Sequence, residues 1–180
     1  MECIPNPRTT DFTGTWCCDE IRGDYDAFLR AAGVGWMGRN AARMAAYGIG
    51  IRQIIAMEDD YHAMTITVQP VVSFFPTTTQ RLLINGEEQD LTLADGTAGR
   101  GMCEWLADGA LSYTATAHHG KHAGRSLTFT RRLEGDRMWL CLQTGAPPVE
   151  VHRAFCREAD RPERTLTSAA RTRRANRPRA

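Results

Sequence analysis

The sequence predicts an all-β protein: a ten-stranded antiparallel up-and-down barrel with a short helix-turn-helix between strands 1 and 2. Strand-like runs follow one another between residues 49 and 156, and Met64, Ile66 and Val68 show the period-2 alternation of a half-buried strand. Closing so many short strands into a barrel removes exposed sheet edges, although a sandwich is an alternative. Turn dipeptides separate the runs at hairpin-like intervals: Asn85-Gly86, Asp95-Gly96, Asp108-Gly109, His119-Gly120, Glu134-Gly135 and Thr144-Gly145.

The first predicted strand is rich in aromatic residues. Phe12, Gly14 and Trp16 lie in a β-prone run whose glycine permits a bend. The two aromatic rings are expected to cover one end of the core.

Two predicted helices, residues 25–32 and 36–46, follow the first strand. Asp24 is a good N-cap for the first helix. Such short helices must lay their apolar faces on another surface, and the barrel mouth is available. Met37 and Met44 are therefore expected in a lid whose soft side chains suit variable apolar ligands, with ordinary core packing as the alternative.

Charge divides the chain into a weakly acidic body and a basic tail. The net charge is +1, but residues 159–180 contain seven Arg against two acidic residues, which leaves about −4 for residues 1–158. We predict an N-terminal extension at 1–10, a barrel at 11–158 and a disordered tail at 159–180. An arginine-rich tail suits nucleic acid, anionic lipid or an import receptor, but a solvated tail is expected, and no specific nucleic-acid partner is predicted.

The sequence shows no sign of membrane insertion or secretion. No apolar run approaches the roughly 20 residues of a spanning helix, and the N-terminus lacks the pattern of a signal peptide. The six cysteines are not spaced as a disulfide scaffold, so reduced thiols are expected. We predict a monomer in the cytoplasm, with the nucleus as a second compartment.

Two late strands each place an arginine on an apolar face. Alternation groups Arg131 with Leu127 and Phe129, and it groups Arg153 with Val151 and Phe155. Isolated arginines inside a barrel are expensive, but two together are reasonable if an anion enters with them. A guanidinium suits a carboxylate because it donates two parallel charge-assisted hydrogen bonds. A register slip of one residue would instead present Arg132 and His152 to the interior.

Several motifs occur in an order that resembles a known family. F-x-G-x-W at residues 12–16 precedes two short helices with a G-V-G joint at 33–35, and GEEQ follows at 86–89. TFTRRLEGDRMWLCLQTG resembles a T-x-x-R-x-L strand, hairpin and T-x-G sequence, and VHRAFCRE resembles a closing R-x-Y strand. Over residues 11–158 the chain thus resembles the intracellular lipid-binding proteins, which include fatty-acid-binding and cellular retinoid-binding proteins. The resemblance implies a calycin-like, lipocalin-like barrel.

The resemblance also implies a ligand site. Arg131 and Arg153 correspond to the family's two interior arginines that hold the ligand carboxylate. Phe155 stands where the family usually has tyrosine, so one hydroxyl contact is missing. The expected residues of the cavity and portal are Tyr25, Met37, Met44, Phe74, Phe75, Phe129, Leu140 and Leu142.

Other chemistry is weakly indicated. His118, His119 and His122 cluster around a glycine, but such a turn is more often solvated than metal-bound. No zinc, hydrolase or phosphate-binding motif occurs, so we predict no catalytic residue, metal or cofactor.

The leading hypothesis is a non-enzymatic carrier of a long-chain fatty acid, with transient membrane-surface contact through the helical lid. A carrier of retinoic acid or another isoprenoid acid is the alternative. From other classes, we keep an enzyme acting on an oxidised lipid and an interaction protein that functions through its tail.

Overall fold

Ten antiparallel strands curl into a nearly closed barrel in the computed structural model, which confirms the predicted fold class. The structure describes residues 10–71, 76–92, 98–118, 123–145 and 147–158. The strands are β1 (Gly14–Arg22), β2 (Arg52–Glu58), β3 (Ala63–Gln69), β4 (Thr78–Leu83), β5 (Glu88–Thr92), β6 (Ala98–Trp105), β7 (Leu111–Ala117), β8 (Ser126–Glu134), β9 (Arg137–Thr144) and β10 (Glu150–Arg157). Two helices, α1 (Tyr25–Ala31) and α2 (Trp36–Met44), connect β1 to β2.

Several predictions lie outside the described residues. They concern most of the N-terminal extension, the tail at 159–180, the phenylalanines Phe74 and Phe75, and the turns at 95–96 and 119–120. Within the described part of the chain, no helix is long and apolar enough to cross a membrane.

The first and last strands pair in the middle of the sheet. The strand order is β4-β3-β2-β1-β10-β9-β8-β7-β6-β5, so all other pairs are between neighbours in sequence, and only β4 and β5 among the described neighbours do not pair. The β1–β10 pairing aligns Cys18 with Phe155 and Ile21 with Arg153, and its register shifts between Cys18 and Glu20. This β-bulge lets the chain bend where the barrel must curve.

Aromatic side chains close part of the core, as the sequence of the first strand predicts. Phe12 and Trp16 are fully buried, and Trp16 Nε1 donates a hydrogen bond of 2.8 Å to the Phe12 carbonyl. The Phe12 ring also stacks on Trp105 with centroids 6.1 Å apart. The indole N–H is thereby satisfied although it is buried.

The helices begin where the sequence predicts, but both end earlier. Asp24 caps α1 by accepting from the Ala27 N–H at 2.9 Å. After α2, Ala46 and Tyr47 adopt positive φ values of 48° and 54°, which an α-helix cannot continue through. A short 3-10 turn, Ala46–Gly48, replaces the predicted last turn of α2.

Ion pairs, and not methionine packing, hold the two helices together. The carboxylate of Asp26 on α1 lies 3.1 Å from Arg30, 3.5 Å from Arg39 and 3.3 Å from Arg43. Because Arg39 and Arg43 turn towards this carboxylate, Met37 and Met44 face outwards with 78% and 90% exposure. The expectation that these methionines pack down onto the barrel is therefore wrong.

The barrel is interrupted between β4 and β5, for which the described residues show no strand ladder. The side-chain amide of Gln89 on β5 spans this gap. It accepts from the Leu83 N–H at 2.9 Å and donates to the Leu83 carbonyl at 2.7 Å. One side chain thus replaces a pair of backbone hydrogen bonds.

Replacing Gln89 with Ala should free the Leu83 backbone. We expect a loss of about 1 kcal/mol in the free energy of unfolding, since water can partly replace the two hydrogen bonds. Urea unfolding and amide hydrogen exchange at Leu83 measure the effect. Gln143→Ala, at an exposed glutamine on β9, is the control; equal changes in both variants would contradict the bridging role.

Candidate functional site

Both predicted arginines stand on the inner face of the barrel. Arg131 and Arg153 are each aligned with Leu140 of β9, so the three residues form one row across β8, β9 and β10. Two strand spacings put the arginine Cα atoms about 10 Å apart. Arg132 is exposed and pairs with Asp108 at 2.7 Å.

Arg131 is a buried cation with unused hydrogen-bond donors. Its exposure is 4%, and Nη2 donates a long hydrogen bond of 3.4 Å to Gln53 Oε1. Its Nε and Nη1 atoms are buried without a partner among the described residues. Within those residues, the groups that act electrostatically on it are Cys103 and Tyr113, not a carboxylate. Burial consequently lowers the pKa of Arg131 from its usual 12.5 to about 10.

Arg153 has a different set of partners, beneath the helices. Its Nη2 donates to the Tyr25 hydroxyl and, at 2.8 Å, to the Tyr47 carbonyl. The guanidinium carbon also lies 4.8 Å from the centre of the Tyr25 ring, in cation–π contact. Gly48 permits this approach: its φ is +98°, and a Cβ there would lie 3.2 Å from Arg153 Nη2 and 2.6 Å from Ile51 Cδ1.

The remaining predicted residues divide between interior and surface. Phe155, Leu140 and Leu142 are buried in the core, and Tyr25 is buried at the base of α1. Phe129 stacks on Tyr113 with centroids 5.4 Å apart. Met37 and Met44 are the two that the structure places on the outer surface. The structure therefore connects Tyr25 directly with Arg153 but does not bring the methionines into that cluster.

Sequence reasoning missed the polar side chains around Arg131. Gln53 is buried on the inner face of β2, and Gln80 Nε2 donates to the Tyr113 hydroxyl at 3.3 Å. The sequence could have indicated Gln53, because period-2 alternation places it on the same strand face as the apolar Ile55 and Met57. Arg131 shares a face with apolar neighbours in the same way.

A pocket of about 470 Å³ opens between the helices and the end of β1. Tyr25 and Tyr47 line it together with Ile21, Ile49 and Arg43. Since the same two tyrosines hold Arg153, the pocket lies next to the Arg153 cluster.

Two interior thiols are held in the protonated form. Burial is the main cause that raises the pKa of Cys18 to about 11 and that of Cys103 to about 12, against a smaller opposing effect of Arg153 and Arg131 respectively. Neither thiol is therefore appreciably ionised at neutral pH. Because the thiolate is the nucleophilic form of cysteine, neither residue is an activated nucleophile.

The fold matches solved structures of lipid-binding proteins. The "REP1-NXSQ fatty acid transporter" is 22% identical with a TM-score of 0.63, covering 82% of this chain and 96% of the other. A Schistosoma mansoni fatty acid binding protein in complex with arachidonic acid is 21% identical with a TM-score of 0.63, covering 81% and 95%. Apo lipid binding protein 8 of Caenorhabditis elegans is 18% identical with a TM-score of 0.67, covering 84% and 99%.

The chain has the fatty-acid-binding-protein fold. No protein-family model matches the sequence, and no curated protein matches it. At such low identity the similarity shows the fold alone.

The burial of Arg131 leads to a prediction about stability. A base with a lowered folded-state pKa binds a proton more weakly in the folded than in the unfolded state. Its contribution to stability therefore rises with pH between about 10 and 12.5, and below pH 10 the full cost of burying the charge remains. Arg131→Met should accordingly stabilise the ligand-free protein at pH 7 by about 1–2 kcal/mol.

Urea unfolding of delipidated protein measures this difference. Arg132→Met is the matched control, because Arg132 is exposed and its surface ion pair contributes little. A destabilised Arg131→Met protein would show that the charge is compensated in the ligand-free state.

Proposed function

We propose that the protein is a non-enzymatic carrier that holds a long-chain fatty acid inside the barrel, with its carboxylate against Arg131. The observation that carries this proposal is the buried guanidinium of Arg131: among the described residues, two of its nitrogen atoms have no hydrogen-bond partner and no carboxylate acts on it. A buried charge of this kind is costly, and a ligand carboxylate would supply both the countercharge and the missing acceptors. The fatty-acid-binding-protein fold supports the proposal.

Arg153 serves the same carboxylate in this proposal, as a second donor from the adjacent cluster. Its Nε is buried without a partner in the described chain, although Tyr25 and Tyr47 occupy Nη2. Phe155 adds apolar lining beside it instead of a hydroxyl. Phe129, Leu140 and Leu142 would contact the hydrocarbon chain.

Burial of the hydrocarbon chain supplies most of the driving force. At about 0.8 kcal/mol per methylene, a dozen methylenes offer roughly 10 kcal/mol before association costs, which allows submicromolar binding. Retinoic acid or another isoprenoid acid is the alternative ligand, since it needs the same arginines and a differently shaped tail pocket. The protonated state of Cys18 and Cys103 favours a carrier over an enzyme with a cysteine nucleophile. We place this carrier in the cytoplasm, as a monomer, with the nucleus as a second compartment.

Charge recognition can be tested by comparing ligands that differ only in the head group. Arg131→Gln should weaken binding of a fatty acid by roughly 10- to 150-fold, since a hydrogen bond to a charged group contributes about 1.5–3 kcal/mol. Binding of the matching fatty alcohol should change far less. Arg153→Gln should act in the same direction but more weakly, because Arg153 already has protein partners.

Isothermal titration with delipidated protein gives these affinities, and Arg132→Gln is the control for a general charge effect. Equal losses for acid and alcohol would contradict the carboxylate assignment. A panel that adds retinoic acid separates the two ligand classes.

Ligand exchange is proposed to take place at a membrane surface that the outer side of α2 contacts. Trp36, Met37 and Met44 are 69%, 78% and 90% exposed, and Arg30 and Arg43 beside them carry exposed positive charge. Apolar side chains with a basic rim are the arrangement by which an amphipathic helix binds the lipid interface. Phe74 and Phe75 remain the predicted facing side of the portal.

Replacing Trp36, Met37 and Met44 together with Ser should slow transfer of a fluorescent fatty acid to anionic vesicles several-fold. Equilibrium affinity should stay unchanged, because these side chains lie outside the barrel. The control replaces Leu83 and Met102, exposed apolar residues on β4 and β6, with Ser. If both variants transfer ligand at the wild-type rate, α2 is not the contact surface.

A further inference from the structure

Three potential metal ligands converge on the outer face of the β9–β10 pair. Cys141 and His152 stand directly opposite each other in the ladder, and Glu150 precedes His152 by two residues on the same face. One ligand atom from each residue lies within 4.8 Å of the other two. His152 Nε2 lies 2.8 Å from Glu150 Oε1.

We propose that Cys141, Glu150 and His152 bind a divalent transition-metal ion, with Zn²⁺ the best match. A thiolate, an imidazole and a carboxylate are the donor types that zinc accepts in tetrahedral sites. Three protein ligands leave the fourth position to water or another small ligand. The fatty-acid site on the inner face makes no use of these three side chains.

Local charge favours such an ion. A thiolate and a carboxylate together balance the charge of Zn²⁺, so the occupied site is neutral. The nearest arginines already have acidic partners: Arg22, which faces His152 across the β1–β10 ladder, pairs with Glu20 at 2.6 Å, and Arg132 pairs with Asp108.

The sheet holds the ligands in place before a metal arrives. Cys141 and His152 lie in the interior of paired strands, with ladder residues on both sides, so their backbone positions are fixed by β9 and β10. Metal binding would then mainly require rotation of three side chains, a small ordering cost compared with a site assembled from loops. Burial and the neighbouring Glu150 raise the pKa of Cys141 to about 11, so the ion must also displace the thiol proton. The adjacent row in the ladder, Arg153 with Leu140, belongs to the interior site, but its side chains point to the opposite face.

Cobalt titration under reducing conditions tests the site on the full chain. We expect one Co²⁺ per chain, an absorption band from thiolate-to-cobalt charge transfer, and displacement by Zn²⁺. His118, His119 and His122 are replaced with Gln in the background protein so that this turn cannot compete for the ion. Cys141→Ser should abolish the thiolate band, and His152→Gln should weaken Co²⁺ binding at least tenfold.

Cys156→Ser is the matched control, since it removes another half-buried cysteine, on β10 instead of β9, and should leave binding unchanged. The proposal is overturned if the thiolate band survives Cys141→Ser or is lost with the histidine-turn variant alone. A measurement on the wild-type chain does not depend on how any variant folds: Zn²⁺ should protect Cys141 from alkylation by a maleimide, mapped by peptide mass spectrometry. Equal alkylation of Cys141 with and without Zn²⁺ would also overturn it.

Discussion

Pairing of the first strand with the last is the constraint on which the rest of the barrel depends. Strands β1 to β4 form one antiparallel series and β5 to β10 another, and β1–β10 is the ladder that joins them. It brings together residues at least 130 positions apart, as in the pair of Cys18 and Phe155. Closing so long a loop is entropically costly, so this contact is expected to form late and to make folding slow compared with a helical protein of the same size.

The same ladder also positions the polar interior. Ile21 faces Arg153, and α1 begins three residues after β1 ends, so Tyr25 is delivered directly over the Arg153 side chain. Arg131, two strands away, instead reaches Gln53 across the barrel. The interior therefore contains two cationic centres with unequal sets of partners. Nη2 of Arg153 donates to Tyr25 and Tyr47. Arg131 makes one long hydrogen bond, and two of its nitrogen atoms have no partner among the described residues. In the proposed function, this difference makes the ligand carboxylate depend more on Arg131 than on Arg153.

Local patterns predicted most of the fold. Period-2 alternation placed Arg131 inside and Arg132 outside, because a strand has only two faces. Turns such as Asn85-Gly86 and Asp108-Gly109 could be predicted because glycine readily adopts the positive φ that tight turns require. Gly86 and Gly109 do adopt positive φ. The turn between β2 and β3 carried no such signal, since Asp59, Asp60 and Tyr61 adopt positive φ without glycine. The sequence also did not predict that the methionine face of α2 points outwards. This orientation follows from contacts of Arg39 and Arg43 with Asp26 on another helix.

The gap between β4 and β5 is the line along which the barrel wall deforms most easily. Backbone ladders are stiff because the N–H and the C=O of each paired residue are both hydrogen-bonded. The bridge from Leu83 to Gln89 instead runs through a side chain with three rotatable bonds. Rotation of one glutamine would let the barrel widen along this line while the nine ladders of the described sheet stay intact. If the barrel holds a lipid as proposed, the wall would expand at this single place for hydrocarbon chains of different girth, with no repacking of the row that holds the arginines.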